Sequence, residues 1–414
     1  MLKIFLVINV LFWTTLASQD VEYAKKVIGD LSSSEYHGRG YEYNGDKFAA
    51  KYIADELKKN GVLSFASDYL QLFSIKINTF PSEVKIKFGD KTPENGKDFI
   101  IDKISRGCNG KFELVWLDKI TISKAMEMDL SKKFIVIDTS KIDDKKFKEN
   151  FQAVKYINPL KAAGIIEIIS KKPSSYQSQL QGACPVIQVI NGVITSEMKA
   201  LNISFKNKLE KNYKTQNVYG YVKGEVDSFI VIGSHYDHLG RMGNIFFPGA
   251  NDNCSGVSMT LNLAKHFAQK ENAPHYGIIF VFFTGEEVGL LGSDFFVNNA
   301  PVSHEKMKLM INLDLVGTGD DGITIVNGSV FRKEFELFTS INKEKGYLKE
   351  IKARGKAANS DHYPFSEKGI SSFFIYTRGG VSEYHTVDDI AGTLPLTEYE
   401  DLFRLITDFI IKYE

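Results

Sequence analysis

The chain has 414 residues, and its 51 Lys+Arg are matched by 51 Asp+Glu, so no net field draws it to nucleic acid or to an acidic membrane surface. With 43% hydrophobic residues it can bury a large core, and its length predicts two domains. Three cysteines are too few for a disulfide framework.

Lys3 precedes an apolar stretch over residues 4–16, and the small residues Ala17 and Ser18 follow. This is the pattern of a secretory signal peptide, residues 1–18, too short for a comfortable membrane span. No cysteine follows it, which disfavours a lipid anchor, and no other segment is apolar for long enough to cross a bilayer. The expected product is secreted or periplasmic, with no stable membrane span once the leader is removed. Residues 46–60 form an amphipathic helix that stops before Gly61. Residues 69–77 and 83–88 alternate like the two strands of a hairpin.

The pattern changes over residues 89–212. A strand at 132–137, a Lys-rich helix, the segment 161–169 and a Pro-bearing strand at 184–190 suggest a separate inserted unit. Cys108 and Cys184 lie in it, and a disulfide between them stays open. From residue 213 to the end, short apolar runs read as strands of a parallel sheet buried on both faces. Residues 229–233 run into Ser234-His235-Tyr236-Asp237-His238. Residues 249–253 make a polar loop around Asp252, followed by a helix through His266. Residues 278–283 end at Thr284-Gly285 and the adjacent acids Glu286 and Glu287. Residues 310–313 deliver Asp314, and residues 370–376 are followed by Glu383-Tyr384-His385-Thr386. Helices at 331–346 and 396–412 complete the chain.

Ligands of open α/β sheets gather beyond the carboxyl ends of the strands. Acids crowded there are costly without a compensating positive charge. Taken singly, each residue has an ordinary explanation: Glu286 and Glu287 opening a helix, Asp252 as a helix N-cap, His235 as a hydrogen-bonded loop residue. Taken together, they are the His nitrogen and Asp/Glu oxygen donors that zinc accepts. Zinc lowers the pKa of bound water from about 15.7 to roughly 7, so such a site can supply a nucleophile at neutral pH. Cys254 reads as a buried thiol. His37, His266, His275 and His304 read as surface or structural residues, and His238 has no assigned role.

The series SHYDH, GANDNCSG, FTGEEVGLLGS, NLD and YHTVDD resembles, in order and spacing, the secreted co-catalytic di-zinc aminopeptidases. Relatives of that family include glutamate carboxypeptidase and the transferrin receptor ectodomain. The resemblance implies an α/β fold, an α/β/α sandwich around a mixed, mainly parallel sheet of the phosphorylase/hydrolase-like kind. It divides the chain into 19–88 and 213–414 as the catalytic domain and 89–212 as a smaller protease-associated-like insert. It further implies two Zn2+ per chain, bridged by Asp252, with His235 and Asp314 on one ion and Glu287 and His385 on the other. Glu286 would be the general base, Asp237 a group orienting a ligand histidine, as Asp388 is also suited to be, and Tyr384 a hydroxyl that polarises the scissile carbonyl. The segment 360–365, Ser-Asp-His-Tyr-Pro-Phe, resembles a wall of the substrate cleft, and reads equally as a capped turn. The expected partners are peptide substrates and a second copy in a homodimer. A carboxypeptidase, a glutaminyl cyclotransferase-like enzyme and a non-catalytic receptor-like ectodomain are the rival readings.

Overall fold

Strand Tyr276–Phe283 is apolar from end to end because both of its faces are covered: Ile278, Ile279, Phe280, Val281, Phe282 and Phe283 are all 0% exposed. The structure, a computed structural model, describes residues 21–65, 68–118 and 124–413, so the expected leader at 1–18 lies outside the described residues. Four strands form the parallel centre of an eight-stranded sheet, in the order Tyr276–Phe283, Val226–His235, Met307–Leu313 and Ser372–Thr377. Lys208–Val222 and then Leu70–Thr79 add antiparallel on one side, and Ile323–Val326 adds antiparallel on the other, with Ile351–Ala353 at that edge.

Helices cover both faces, as a parallel sheet requires. Val21–Leu31, Gly45–Lys59, Gly256–Phe267, Arg332–Lys345 and Tyr399–Lys412 share one apolar core with the sheet. Leu291–Asn298 and His362–Glu367 pack Phe296, Val297 and Phe365 against the opposite face. The α/β/α layering expected from the resemblance is therefore present. Register sets the level of the strand ends: His235 pairs with Phe283, and Gly233 with Asn312. His235, the Thr284–Glu287 turn and Asp314 thus emerge together.

A second, seven-stranded sheet runs in the order Lys85–Phe88, Ala200–Phe205, Cys108–Leu117, Lys133–Asp138, Gly164–Ile169, Val186–Ile190, Phe99–Ile101. Helix Lys145–Ile157 covers one face through Phe151. The other face forms an apolar cluster that takes in Leu239, Met242 and Phe247, which follow strand Val226–His235 of the large sheet. The two sheets are therefore joined next to the strand ends that carry the polar motifs.

The hairpin expected at 69–77 and 83–88 does not form. Leu70–Thr79 pairs with Lys208–Val222 in the large sheet, and Lys85–Phe88 with Ala200–Phe205 in the small one. Alternation marks any half-buried strand and says nothing of its partner, which here lies more than a hundred residues away. Cys108 and Cys184 are free thiols and not a disulfide. No helix among the described residues is long and apolar enough to cross a membrane.

Candidate metal centre

Asp252 sits in a π-helical turn, Ala250–Ser255, that leads into helix Gly256–Phe267. The turn opens at Gly249 with φ 57, where a Cβ would meet the Asp252 carbonyl oxygen at 2.1 Å, so only glycine fits. Its remaining backbone groups are held from outside. Asp389 accepts from Asn251 N at 2.9 Å and Asp252 N at 3.0 Å. The buried Arg39 guanidinium donates to the carbonyls of Gly249 and Asp252.

From this turn the Asp252 carboxylate divides its two oxygens. Oδ1 lies 3.3 Å from His235 Nε2, which is also 3.4 Å from Asp314 Oδ1. Oδ2 lies 3.1 Å from His385 Nε2, which is also 3.2 Å from Glu287 Oε2. Both imidazoles use their other nitrogen elsewhere: His235 Nδ1 faces the Asp237 carbonyl at 3.1 Å, and His385 Nδ1 the Ser175 carbonyl at 3.0 Å. A carbonyl only accepts, so each Nδ1 carries a proton, and a cation that displaced the proton from Nε2 would find its lone pair directed between two carboxylates. Buried His385 Nε2 and Asp314 Oδ1 have no hydrogen-bond partner in this arrangement. Lone pairs converging on shared points are what a divalent cation satisfies, and the donors are those that zinc prefers. His235, Asp252 and Asp314 offer donor atoms within 4.8 Å of one another, as do His238, Asp252 and Glu287.

The field is strongly negative. Burial alone would lower the His235 pKa, yet Asp314, Glu286 and Asp252 raise it well above its ordinary value. Burial likewise opposes the rise of His385 to about 11, which Glu287 and Asp252 produce. Glu286 is pushed well up by burial and by its acidic neighbours Asp361, Glu287 and Asp314. Glu287 is held down to about 2 against its burial, chiefly by His385 and then by its hydrogen bond to His238.

The structure gathers His235, Asp252, Glu287, Asp314 and His385 at the strand ends, with Glu286 beside them, and it alters several expected supporting roles. Asp237 does not orient His235 through its carboxylate, which is 3.9 Å from the ring; the backbone carbonyl does so. That carboxylate instead accepts from Tyr41 Oη and from Glu286 N, fixing the turn on which Glu286 stands. Asp388 does not orient His385 either; it pairs with Lys172, and Ser175 takes that role. Tyr384 lies flat on the His385 ring at 3.8 Å and is 53% exposed. Ser360, in the segment read as wall or turn, donates to Asp314 Oδ2 at 2.9 Å and so braces a candidate ligand. Next to it Asp361 is fully buried and raised to about 7, chiefly by burial. His238 gains a place: its Nδ1 is 2.7 Å from Glu287 Oε1, the length of a charge-assisted hydrogen bond. Cys254 is buried in the main core, its thiol pushed up to about 12 by burial. Of the histidines set aside, His304 bonds the Val297 carbonyl and His266 packs edge-on to Phe403.

Residues 217–410 match peptidase family M28. Aminopeptidase YwaD of Bacillus subtilis is 30% identical over 210 residues, 45% of this chain and 42% of that protein. A probable leucine aminopeptidase of Trichophyton verrucosum is 27% identical over 217 residues, 49% of this chain and 57% of that protein. The chain spans about half the length of the curated relatives it matches. Among solved structures, a zinc aminopeptidase from Bacillus subtilis superimposes with a TM-score of 0.71 at 20% identity, covering 95% of this chain and 94% of the other. A peptidase M28 precursor from Shewanella amazonensis does so with a TM-score of 0.66 at 16% identity, covering 94% and 96%. At these identities the likeness is one of fold.

Proposed function

We propose, from the premise that residues 217–410 belong to peptidase family M28, that this chain is a zinc-dependent aminopeptidase releasing N-terminal residues from peptides. The observation that carries this reading is the division of the Asp252 carboxylate between two His/carboxylate sets. On it, His235 and Asp314 would hold one zinc and His385 and Glu287 the other, with Asp252 contributing to each set. When bound, such a pair supplies Lewis acidity, making water a better nucleophile and polarising the scissile carbonyl. The chain's own groups do the rest. Glu286, adjacent to a ligand and held at its backbone by Asp237, takes the proton of the attacking water and passes it to the leaving amine. Ser360 and His238 hold Asp314 and Glu287 in their orientations.

Preference for a free amino terminus is supported by the charges around the metal centre. A carboxypeptidase needs a cationic clamp for the terminal carboxylate. Arg378, beside the strand leading to His385, is engaged with Glu350 and the Asp321 carbonyl. Arg241 faces His37 and lies over the Tyr43 and Phe246 rings. The acids Glu286, Asp314 and Asp361 suit an ammonium group instead. The names of the relatives point the same way. We further read residues 1–18 as an export signal and the second sheet as an inserted domain beside the metal centre. The test is a panel of leucyl-type substrates with free and acetylated amino groups. Free-amine substrates should be cleaved and acetylation should remove most of the rate. Preferred cleavage of acetylated peptides at their C-terminal residue would make the chain a carboxypeptidase.

A further inference from the structure

The loop between strands Gly164–Ile169 and Val186–Ile190 belongs to the second sheet, yet residues 172–179 lie against the metal centre of the first. Ser175 makes two bonds to one residue there. Its N–H donates to the His385 carbonyl at 2.9 Å, and its own carbonyl accepts from His385 Nδ1 at 3.0 Å. Lys172 Nζ is 2.9 Å from Glu383 Oε2 and also pairs with Asp388, so it spans His385 from both sides in sequence. Gln177 Nε2 donates to the His238 carbonyl at 3.3 Å, and Gln179 Nε2 to the Val288 carbonyl, next to Glu287, at 3.0 Å. One loop thus reaches the segments that carry His385, His238 and Glu287.

His385 needs this support. It stands in no helix or strand, after Gly379 and Gly380 with φ 85 and 75, and its own φ is 58. A residue with a Cβ loses about 1–2 kcal/mol in that left-handed conformation, so something outside the segment must select it. Ser175 does, and the same contact fixes the tautomer that leaves Nε2 free for a cation. The loop is firm enough for the task. Tyr176 Oη bonds to Asp102, and Asp102 with Glu167 flanks the buried Lys155 ammonium at 3.4 and 2.8 Å. The Ser178 carbonyl accepts from Asn78 N at 2.9 Å.

We propose that residues 172–179 are a strap by which the second domain builds the His385 half of the metal centre, with Lys172 as the positioning residue that holds the His385 loop. The proposal rests on the two-zinc reading above. The direct test is zinc titration of the metal-free full chain against a competing chelator, in the wild type, Lys172→Met, Lys172→Arg and Lys171→Met. Melting temperatures of the metal-free forms are measured alongside. Wild type should bind two zincs. Lys172→Met should keep one site unchanged and bind the second up to about 5-fold more weakly, the scale of losing a partly exposed ion-pair cluster that holds the His385 loop. Lys172→Arg should restore much of that affinity, and Lys171→Met, which removes the same charge from an exposed neighbour, should match the wild type. The metal-free melting temperature should not move, because Lys172 is partly exposed and pairs at the surface. Equal second-site affinity in Lys172→Met and wild type overturns the strap, and so does a loss shared by both sites or matched by a lower metal-free melting temperature. A wild type that binds fewer than two zincs instead overturns the two-zinc reading beneath it.

Discussion

Arg39 Nη2 donates to the backbone carbonyl of Asp252 at 3.1 Å, across 213 residues of sequence. The guanidinium is fully buried, and the hydrogen bonds it makes go to the carbonyls of Leu31, Tyr236, Pro248, Gly249 and Asp252. Its planar fork satisfies several acceptors at once, which a lysine ammonium cannot reproduce in the same geometry. Arg39→Met would leave buried carbonyls without donors, each costing about 1–3 kcal/mol. The variant should therefore lose at least about 3 kcal/mol in urea unfolding. An unchanged midpoint would show that water or a neighbour replaces the guanidinium.

Asp46 gives a pH-dependent signature away from the metal centre. It is fully buried and raised to about 6 by that burial, despite accepting from Tyr213 Oη and Thr215 Oγ1. A carboxyl whose pKa is higher folded than unfolded binds its proton more tightly in the folded state. Its contribution is greatest below the unfolded value near 4 and declines as pH rises towards 6. Asp46→Asn keeps an acceptor for the two hydroxyls and cannot ionise. At pH 7 it should be more stable than the wild type by about 1–3 kcal/mol, with the gain vanishing near pH 4. Parallel stability curves over pH 4–7 would assign the native carboxylate a lower pKa.

What was legible in the sequence is local, and what was not is held across long distances. Buried strands that end in acids and histidines advertise themselves, because apolar runs and polar tips adjoin in sequence, as at His235, Glu287 and Asp314. Arg39 and Asp389 act on backbone groups, and the Ser175 carbonyl on the His385 ring, in loops 137 to 213 residues away. Arg39 and Asp389 leave no periodic pattern, and a backbone carbonyl such as that of Ser175 leaves no sequence trace at all. The failed hairpin has the same root. The alternation over residues 69–77 marks a strand, but the pairing of Leu70–Thr79 with Lys208–Val222 depends on a chain path that runs through the second sheet first.

The divided Asp252 carboxylate predicts how metal content responds to single changes. Glu287→Gln or His385→Ala should reduce bound zinc from about two to about one per chain, and His235→Ala should do the same from the other side. Asp252→Asn should impair both sites, since each loses an anionic donor. Elemental analysis after gel filtration reads these outcomes. One zinc in the wild type, abolished by His385→Ala but untouched by His235→Ala, would assign a single-metal centre on the His385 side.

Glu286 and Glu287 are adjacent, and substitution should separate their roles. Glu287 Oε2 lies 3.2 Å from His385 Nε2 and its Oε1 is held by His238, so both of its oxygens are committed to the centre. The Glu286 carboxyl belongs to neither His/carboxylate set, while its backbone N–H is fixed by Asp237 at 3.2 Å. It stands among Asp361, Glu287 and Asp314, in a field that favours proton capture. Glu286→Gln keeps the size and removes the base. It should retain both metals while turnover of a leucyl substrate falls by roughly 10²–10⁴, the usual worth of a general base, with KM little changed. Glu287→Gln should lose metal first and recover part of its rate when zinc is added in excess. If Glu286→Gln released zinc and regained full turnover on reloading, Glu286 would be the ligand and its neighbour the base.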